Sequence, residues 1–376
     1  MKKVLILFFI IIFVVAGCAP KADNSSKEID ELAESYSEPV GLMEEEGFEG
    51  LDDRLGESLD ENKDEDSKEE VIEKEEDIEK NVQELIKGTV PITVYYQDVD
   101  GYIVPVTRSV PMQEGIAKAA VNGLIDSTIN REELEYYGLY PVLPQGTEVL
   151  GINIKEGIAT IDFSNNVLNY EREIDERNIV ASVVYTLTEF STIDGVRIWI
   201  NGYADKELEF GTSLNGVLNR QNVLINSEKA NVQEGAQKAD IYLFKAASEA
   251  YSYLVPVSRQ TSGLDANEFP TAIIEMLKGK HSDKLYSEIP SETQLRESSV
   301  DGDLLTLDFD GGITKYGGGT AREEGIIKQI LFSMKQIEGV ERVKILIDGK
   351  TASLPEGSDV SKPLFIPQRI NDVMDR

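Results

Sequence analysis

Cysteine, histidine and tryptophan are nearly absent from this 376-residue chain, which has one of each: Cys18, His281 and Trp199. Structural zinc sites draw four ligands mainly from Cys and His, and nucleophilic triads need a His or Cys beside the nucleophile. With so small a supply, most sites of either kind are excluded. Disulfide staples are excluded too. Basic residues are also scarce, 37 Lys and Arg against 69 Asp and Glu, for a net charge of −32. Nucleic-acid binding depends on cations that displace counterions from phosphates, so no nucleic-acid partner is expected.

What is present begins at the first residues. Lys2 and Lys3 precede an apolar run from Val4 to Val15, which is short for a membrane span and has the form of a secretory signal, followed by Val15-Ala16-Gly17-Cys18. An apolar residue and two small ones before a Cys make a lipobox. Residues 1–17 are therefore expected to be a lipoprotein signal peptide, and Cys18 the acylated (palmitate-bearing) residue that holds the chain on the extracytoplasmic face of the cell membrane. An unpaired thiol in an exported protein otherwise needs explaining.

The charge is unevenly distributed. From Lys21 to Thr89 there are 26 acidic and 8 basic residues, a net of −18. Such a stretch cannot bury enough apolar surface to offset its ordering entropy, so 18–89 reads as an acidic, disordered tether. Its last part, Ser67 to Lys87, has Val71, Ile78 and Leu85 at heptad spacing, a weak helical signal. No calcium loop of the D-x-D-x-D-G type occurs in it.

Beyond the tether the chain repeats itself. Tyr102-Ile103-Val104-Pro105-Val106-Thr107-Arg108 returns as Tyr253-Leu254-Val255-Pro256-Val257-Ser258-Arg259, and Thr160-Ile161-Asp162-Phe163 returns as Thr306-Leu307-Asp308-Phe309. Asn201-Gly202 and Asp348-Gly349 close the two copies. The order is preserved, so this is a duplication of a whole domain, placed at 90–226 and 238–371. Each copy opens with a hairpin, Ile92–Tyr96 with Tyr102–Val106 or Ile241–Lys245 with Tyr251–Val257. A helix follows with Ile116, Ala120, Leu124 and Ile125 on one face, or Ile273, Ile274, Met276 and Leu277, the latter preceded by an Asp265-x-x-Glu268 capping box. A second strand pair, at Gly151–Ile154 and Ile158–Phe163 or Gln294–Ser298 and Leu304–Phe309, leads to a longer helix. That helix carries Val180, Val183, Val184, Leu187 and Phe190, or Ile327, Ile330, Leu331, Met334 and Ile337, with Thr320-x-x-Glu323 as the second copy's cap. A last strand ends in the Asn-Gly or Asp-Gly turn. The expected fold is α+β: two tandem repeats of a ββαββαβ unit, with the helices packed on one sheet.

These residues resemble the GerM family of bacterial sporulation and spore-germination lipoproteins. The resemblance rests on V-P-V-T/S-R in both copies, Leu143-Pro144-Gln145-Gly146-Thr147, Ile161-Asp162-Phe163-Ser164, Thr186-Leu187-Thr188-Glu189-Phe190, and a lipobox ahead of two domains. It spans Val90 to Asn371 and is strongest in the first copy; Gln329 to Glu338 lacks the T-L-T-E-F run. It implies a non-enzymatic membrane lipoprotein whose domains are similar to the ring-building modules of secretion-type machines. It also implies a part in the complex joining mother cell and forespore.

Candidate chemistry is sparse. Asp162 and Asp308 sit one per domain, whereas acid–base work needs two carboxyls in one cleft; they read as caps of the strand-to-helix connection. Arg108 and Arg259 end the V-P-V segments of an acidic protein and are the candidate partner contacts, against a plain ion pair at a strand end. His281 reads as a solvated loop residue, and Gly317-Gly318-Gly319-Thr320 lacks the G-K-S/T of a phosphate loop. Tyr95, Tyr102 and Trp199 read as core or sheet-face residues, or as interface anchors if exposed. No catalytic residue, metal or cofactor is expected. The expected function is a scaffold that binds other extracytoplasmic sporulation proteins or copies of itself. The alternatives are a ligand-binding lipoprotein with its site between the domains and, more remotely, a cell-wall hydrolase.

Overall fold

Short apolar runs and, in the second strand pair of each repeat, apolar–polar alternation set the strands, and turn residues place their ends. The structure, a computed structural model, describes residues 88–204, 206–229, 231–247, 252–261, 264, 268–278 and 281–372. Cys18 with its lipobox, the acidic tether, the helical signal at 67–87 and Asp265 lie outside them. In the first repeat β1 (Thr89–Asp98) and β2 (Ile103–Pro111) form an antiparallel hairpin with Thr93 opposite Thr107. The Asp98 carboxylate closes the turn by accepting from Asp100 N and Tyr102 N, at 2.9 and 2.8 Å. Helix α1 (Ile116–Asn122) is shorter than its apolar spacing suggested and leaves Leu124 and Ile125 beyond its end. A second helix, α2 (Thr128–Glu135), was not expected; the Ser127 hydroxyl caps it by accepting from Asn130 N at 3.2 Å.

After the short β3 (Leu139–Tyr140), strands β4 (Val149–Lys155) and β5 (Ile158–Phe163) pair antiparallel. Strand β6 (Gly195–Ile200) then lies parallel to β5, a connection that needs a crossover, and α3 (Glu173–Leu187) supplies it. Alternation along β5 is strict, with Ala159, Ile161 and Phe163 fully buried against the helix layer. Helix α3 buries Val180, Val183, Val184 and Leu187 as their spacing implied, each contributing about 1.5–3 kcal/mol on removal from water.

The second repeat follows the same order, without a counterpart of α2 among the described residues. It comprises β7 (Gln237–Ala246), β8 (Ser252–Thr261), α4 (Phe269–Lys278), β9 (Leu285–Tyr286), β10 (Leu295–Asp301), β11 (Leu304–Phe309), α5 (Gly319–Met334), β12 (Arg342–Ile347) and β13 (Leu364–Phe365). The α+β repeat is as expected, but its strands do not join in one sheet. They divide into β2-β1-β3 and β4-β5-β6, then β8-β7-β9 and β10-β11-β12-β13. The physical reason lies at the free side of β1 and β7. There the helices close the edge, Thr186 Oγ1 accepting from Tyr95 N (3.1 Å) and Ser333 Oγ from Tyr242 N (3.0 Å). At these positions the donor that another strand would need is already taken by a side chain.

Two local expectations are also corrected. Gly318, not Thr320, is the N-cap of α5, and no side chain caps it. Glu323 is fully buried and accepts from Tyr316 Oη, Glu356 N and Ser358 N, at 2.6, 2.5 and 2.9 Å. Its counterpart Glu176 accepts from Tyr170 Oη, Phe210 N and Thr212 N, at 2.8, 2.8 and 2.9 Å. Each long helix thus uses a buried carboxylate to anchor the loop that follows its repeat's last long strand.

Candidate functional site

The V-P-V-T/S segments lie where the two repeats meet. Thr107 and Ser258, 1% and 3% exposed, do the same work in opposite directions. Thr107 N donates to Ile370 O and Thr107 Oγ1 accepts from Ile370 N, both at 2.9 Å, so the end of repeat 2 binds repeat 1. Ser258 N donates to Ile225 O and Ser258 Oγ accepts from Ile225 N, also at 2.9 Å, so the end of repeat 1 binds repeat 2. The next residue completes each joint. Asn226 accepts from Ile103 N (2.6 Å) and donates to Ile103 O and Pro256 O, at 2.8 and 2.7 Å. Asn371 accepts from Leu254 N (2.9 Å) and donates to Leu254 O and Pro105 O, at 2.8 and 2.7 Å. Both asparagines have left-handed backbones, φ 51° and 49°, which Asn tolerates better than most residues. The prolines fit because they have no N–H to leave unpaired, and the Asn amides supply the donor their carbonyls need.

Charged groups flank this joint. On one side Lys245 Nζ lies 3.1 Å from Asp98 and 2.9 Å from Asp100, an ion pair between the two opening hairpins. On the other, Glu189 accepts from Tyr95 Oη (2.7 Å), Arg220 (2.6 Å) and Lys335 (3.2 Å). Burial alone would raise the Glu189 carboxyl, but the charges of Arg220 and Lys335 and the Tyr95 hydroxyl bring it down to about 2. Lys238 lies 2.6 Å from Asp240, which also accepts from Tyr185 Oη (2.6 Å) and Ser258 Oγ (2.7 Å). Burial lowers the Lys238 ammonium, against the pull of Asp240. Beside these groups a cleft of about 740 Å³ opens between the repeats, lined by Glu189, Arg220, Lys238, Tyr242, Phe332 and Lys335.

Each carboxylate in this cluster holds fixed donors, and Ser258 Oγ is buried and bonded on both sides. The arrangement fastens and neutralises. Among the described residues no group of His, Cys, Asp and Glu is placed to hold a metal ion, and no helix is long and apolar enough to cross a membrane.

The residues singled out in the sequence are dispersed. Arg108 donates to Tyr96 Oη (3.2 Å) and to Glu133 (2.8 Å), the latter on α2. Repeat 2 has Leu243 and, among the described residues, no second helix at those places. Among the described residues Arg259 makes one long bond to Ser258 O, at 3.5 Å. Asp162 and Asp308 do not cap the strand-to-helix connection. Asp162 Oδ1 accepts from Gly202 N (2.9 Å) and Asp308 Oδ1 from Gly349 N (2.7 Å), clamping the turn after the neighbouring strand. Positive φ at Asn201 and Gly202, and at Asp348 and Gly349, is the tight-turn geometry those pairs signal. His281 is not a solvated loop residue. It is half-buried with Nε2 3.0 Å from Leu277 O; a carbonyl only accepts, so Nε2 carries the proton and serves the end of α4. Tyr95 is buried, Tyr102 reaches Ser282 across the joint at 3.2 Å, and Trp199 is 38% exposed on the open face of β6. Sequence reasoning missed Asn226, Asn371, Glu176 and Glu323 as a set; their recurrence at a near-constant offset was the available signal.

A sequence model of the family described as "Germane: Sporulation and spore germination" matches residues 93–206 and 240–353. The spore germination protein GerM of Bacillus subtilis (strain 168) is 31% identical over 293 residues, 75% of this chain and 78% of that protein. The solved structure of the tandem GerMN domains of the sporulation protein GerM from Bacillus subtilis is 29% identical. It covers 75% of this chain and 100% of its own, with a TM-score of 0.66.

Proposed function

Since this chain belongs to the Germane family of sporulation and spore germination proteins, we propose that it acts in sporulation and germination as a non-enzymatic assembly module. In this reading Cys18 carries the lipid, the acidic segment 18–89 holds the paired domains off an anionic surface, and the domains bind other extracytoplasmic sporulation proteins or copies of themselves. The observation that carries it is the reciprocal joint at Asn226 and Asn371, which holds two modules in one fixed relation. A rigid pair presents two sets of faces at a set spacing, which is what a scaffold needs and a single-turnover site does not.

The test is a gene deletion in the organism of origin, complemented by the full chain or by the Cys18→Ala variant, with crosslinked pull-down during sporulation. Defective spores, rescue by the full chain alone and recovery of extracytoplasmic sporulation proteins are expected. Normal spores with nothing recovered would overturn the reading. The cleft between the repeats favours a second reading, a ligand-binding lipoprotein. Its cations are largely engaged by Glu189 and Asp240, so the cleft carries less than the joint does. A rise in melting temperature of the full chain with muropeptide fragments would favour it.

A further inference from the structure

Strands β4 and β10 are equivalent outer strands, each paired on one side only. Their edges carry different residues. Strand β10 reads Leu295-Arg296-Glu297-Ser298-Ser299-Val300-Asp301, and Arg296 is held 2.8 Å from Asp348. Charges along an edge discourage a further strand. Strand β4 reads Val149-Leu150-Gly151-Ile152-Asn153-Ile154-Lys155, without an acid, and Leu150 and Ile154 are 48% and 45% exposed. Ile152 and Ile154 stand opposite Ile161 and Ala159, both fully buried, so they belong to the helix-facing side of the sheet. The exposed edge is thus an extension of the core face, not of the solvent face.

We infer that β4 pairs with β4 of a second copy, antiparallel and centred on Ile152, so that two three-stranded sheets become one of six. This deepens the assembly reading above and rests on it. The strand is self-complementary about its centre. Gly151 meets Asn153 about Ile152, the register shift between Val149 and Gly151 sets Leu150 at a bulge beside Ile154 of the other copy, and no charge faces its like. Two copies of a chain with net charge −32 repel one another in general, and β4 is the one of the two free edges that brings no carboxylate to the contact. The same pairing through β10 would bring Glu297 and Asp301 from both copies into one sheet. An edge contact is small, and confinement of both copies to a membrane raises its occupancy without any new contact.

The test uses the full chain in its native membrane, with Ile152→Cys crosslinked by copper–phenanthroline. The unaltered chain, with Cys18 alone, sets the background, and Ser298→Cys is the matched position on β10. Only Cα atoms within about 7 Å are bridged by a disulfide, so on the order of tenfold more covalent dimer is expected from I152C than from S298C. Adding Ile154→Lys should abolish that dimer while leaving the melting curve of the chain unchanged; adding Val300→Lys should leave the dimer in place. Equal yields at 152 and 298, or a dimer that survives I154K, would overturn the inference. An I152C adduct with a different protein would overturn the second copy as occupant, while the pull-down described above continues to decide the assembly reading independently.

Discussion

The two repeats agree where side chains are buried and bonded, and differ where they meet solvent. Glu176 and Glu323 hold equivalent loops, Thr186 and Ser333 close equivalent strand edges, and Asp162 and Asp308 clamp equivalent turns. Asn226 and Asn371 join the repeats reciprocally. By contrast, β4 carries no acid where β10 carries two, and among the described residues α2 has no counterpart and Arg259 lacks the ion pair that Arg108 makes. Removing one partner of a buried hydrogen bond leaves the other unsatisfied, at about 1–3 kcal/mol, so such pairs cannot change one side at a time. Surface positions carry no such penalty. A duplicated domain therefore keeps its internal fastenings and is free to give each copy a different outer surface.

Breaking the joint should have the largest effect. Asn226→Ala and Asn371→Ala each remove three hydrogen bonds, at about 1 kcal/mol apiece. Alanine in the left-handed region adds roughly another 1 kcal/mol. Each variant should lose about 3–4 kcal/mol, and the double variant should melt in two calorimetric transitions instead of one. A double variant that still melts in a single transition at the original temperature would show that the joint does not couple the repeats.

The buried carboxylates sharpen the agreement through pH. Burial alone would raise the Glu323 carboxyl, but its bonds from Ser358, Tyr316 and Glu356 N bring it down to about 2. Glu176 is lowered in the same way by Phe210 N and Thr212. An unfolded glutamate titrates near pH 4.3. A carboxyl depressed on folding contributes stability that is complete above that value and lost as pH falls through the folded value toward 2. Glu323→Gln should cost about 1–3 kcal/mol at neutral pH and flatten the acid limb of stability between those two values. Glu176→Gln should likewise flatten the acid limb below the unfolded value for the first repeat. Urea midpoints measured from pH 7 down to pH 2 distinguish the variants from the original chain.

Most of the architecture was legible because it is local. Hairpin turns at Asp98–Gly101, Asn201-Gly202 and Asp348-Gly349, alternation in β5 and β11, and the apolar stripe of α3 all depend on residues near in sequence. Helix α2 escaped because it is short and polar and buries one residue, Leu134, which leaves no run of apolar positions to read. The expectation of one sheet fails because strand partnership is long-range; nothing local says that β3 joins β1 or that β6 lies parallel to β5. Thr320-x-x-Glu323 imitates a capping box, yet Glu323 is a full turn inside α5 and its two backbone partners lie more than thirty residues on. The joint was least legible of all, since Ile370 and Asn371 act on residues more than 260 positions earlier.

The smallest expected effect concerns the two arginines that the sequence marked as partner contacts. Arg108 is 24% exposed and Glu133 44%, so their pair is a partly screened one worth about 0.2–1 kcal/mol, and Arg108→Ala should lower stability by that order. Arg259 has no carboxylate within ion-pair distance among the described residues, and burial depresses its guanidinium. Arg259→Ala should therefore leave the melting temperature within error of the original. The same variant carries a separate consequence for assembly. A half-buried arginine with no ion pair among the described residues, and only the longer-range pull of Glu228, gains from a carboxylate or carbonyl supplied by another protein, so R259A should reduce partner recovery in the pull-down while R108A does not. Recovery unchanged from the original chain in both variants would mean that the difference between these two positions is structural and that neither arginine contacts a partner.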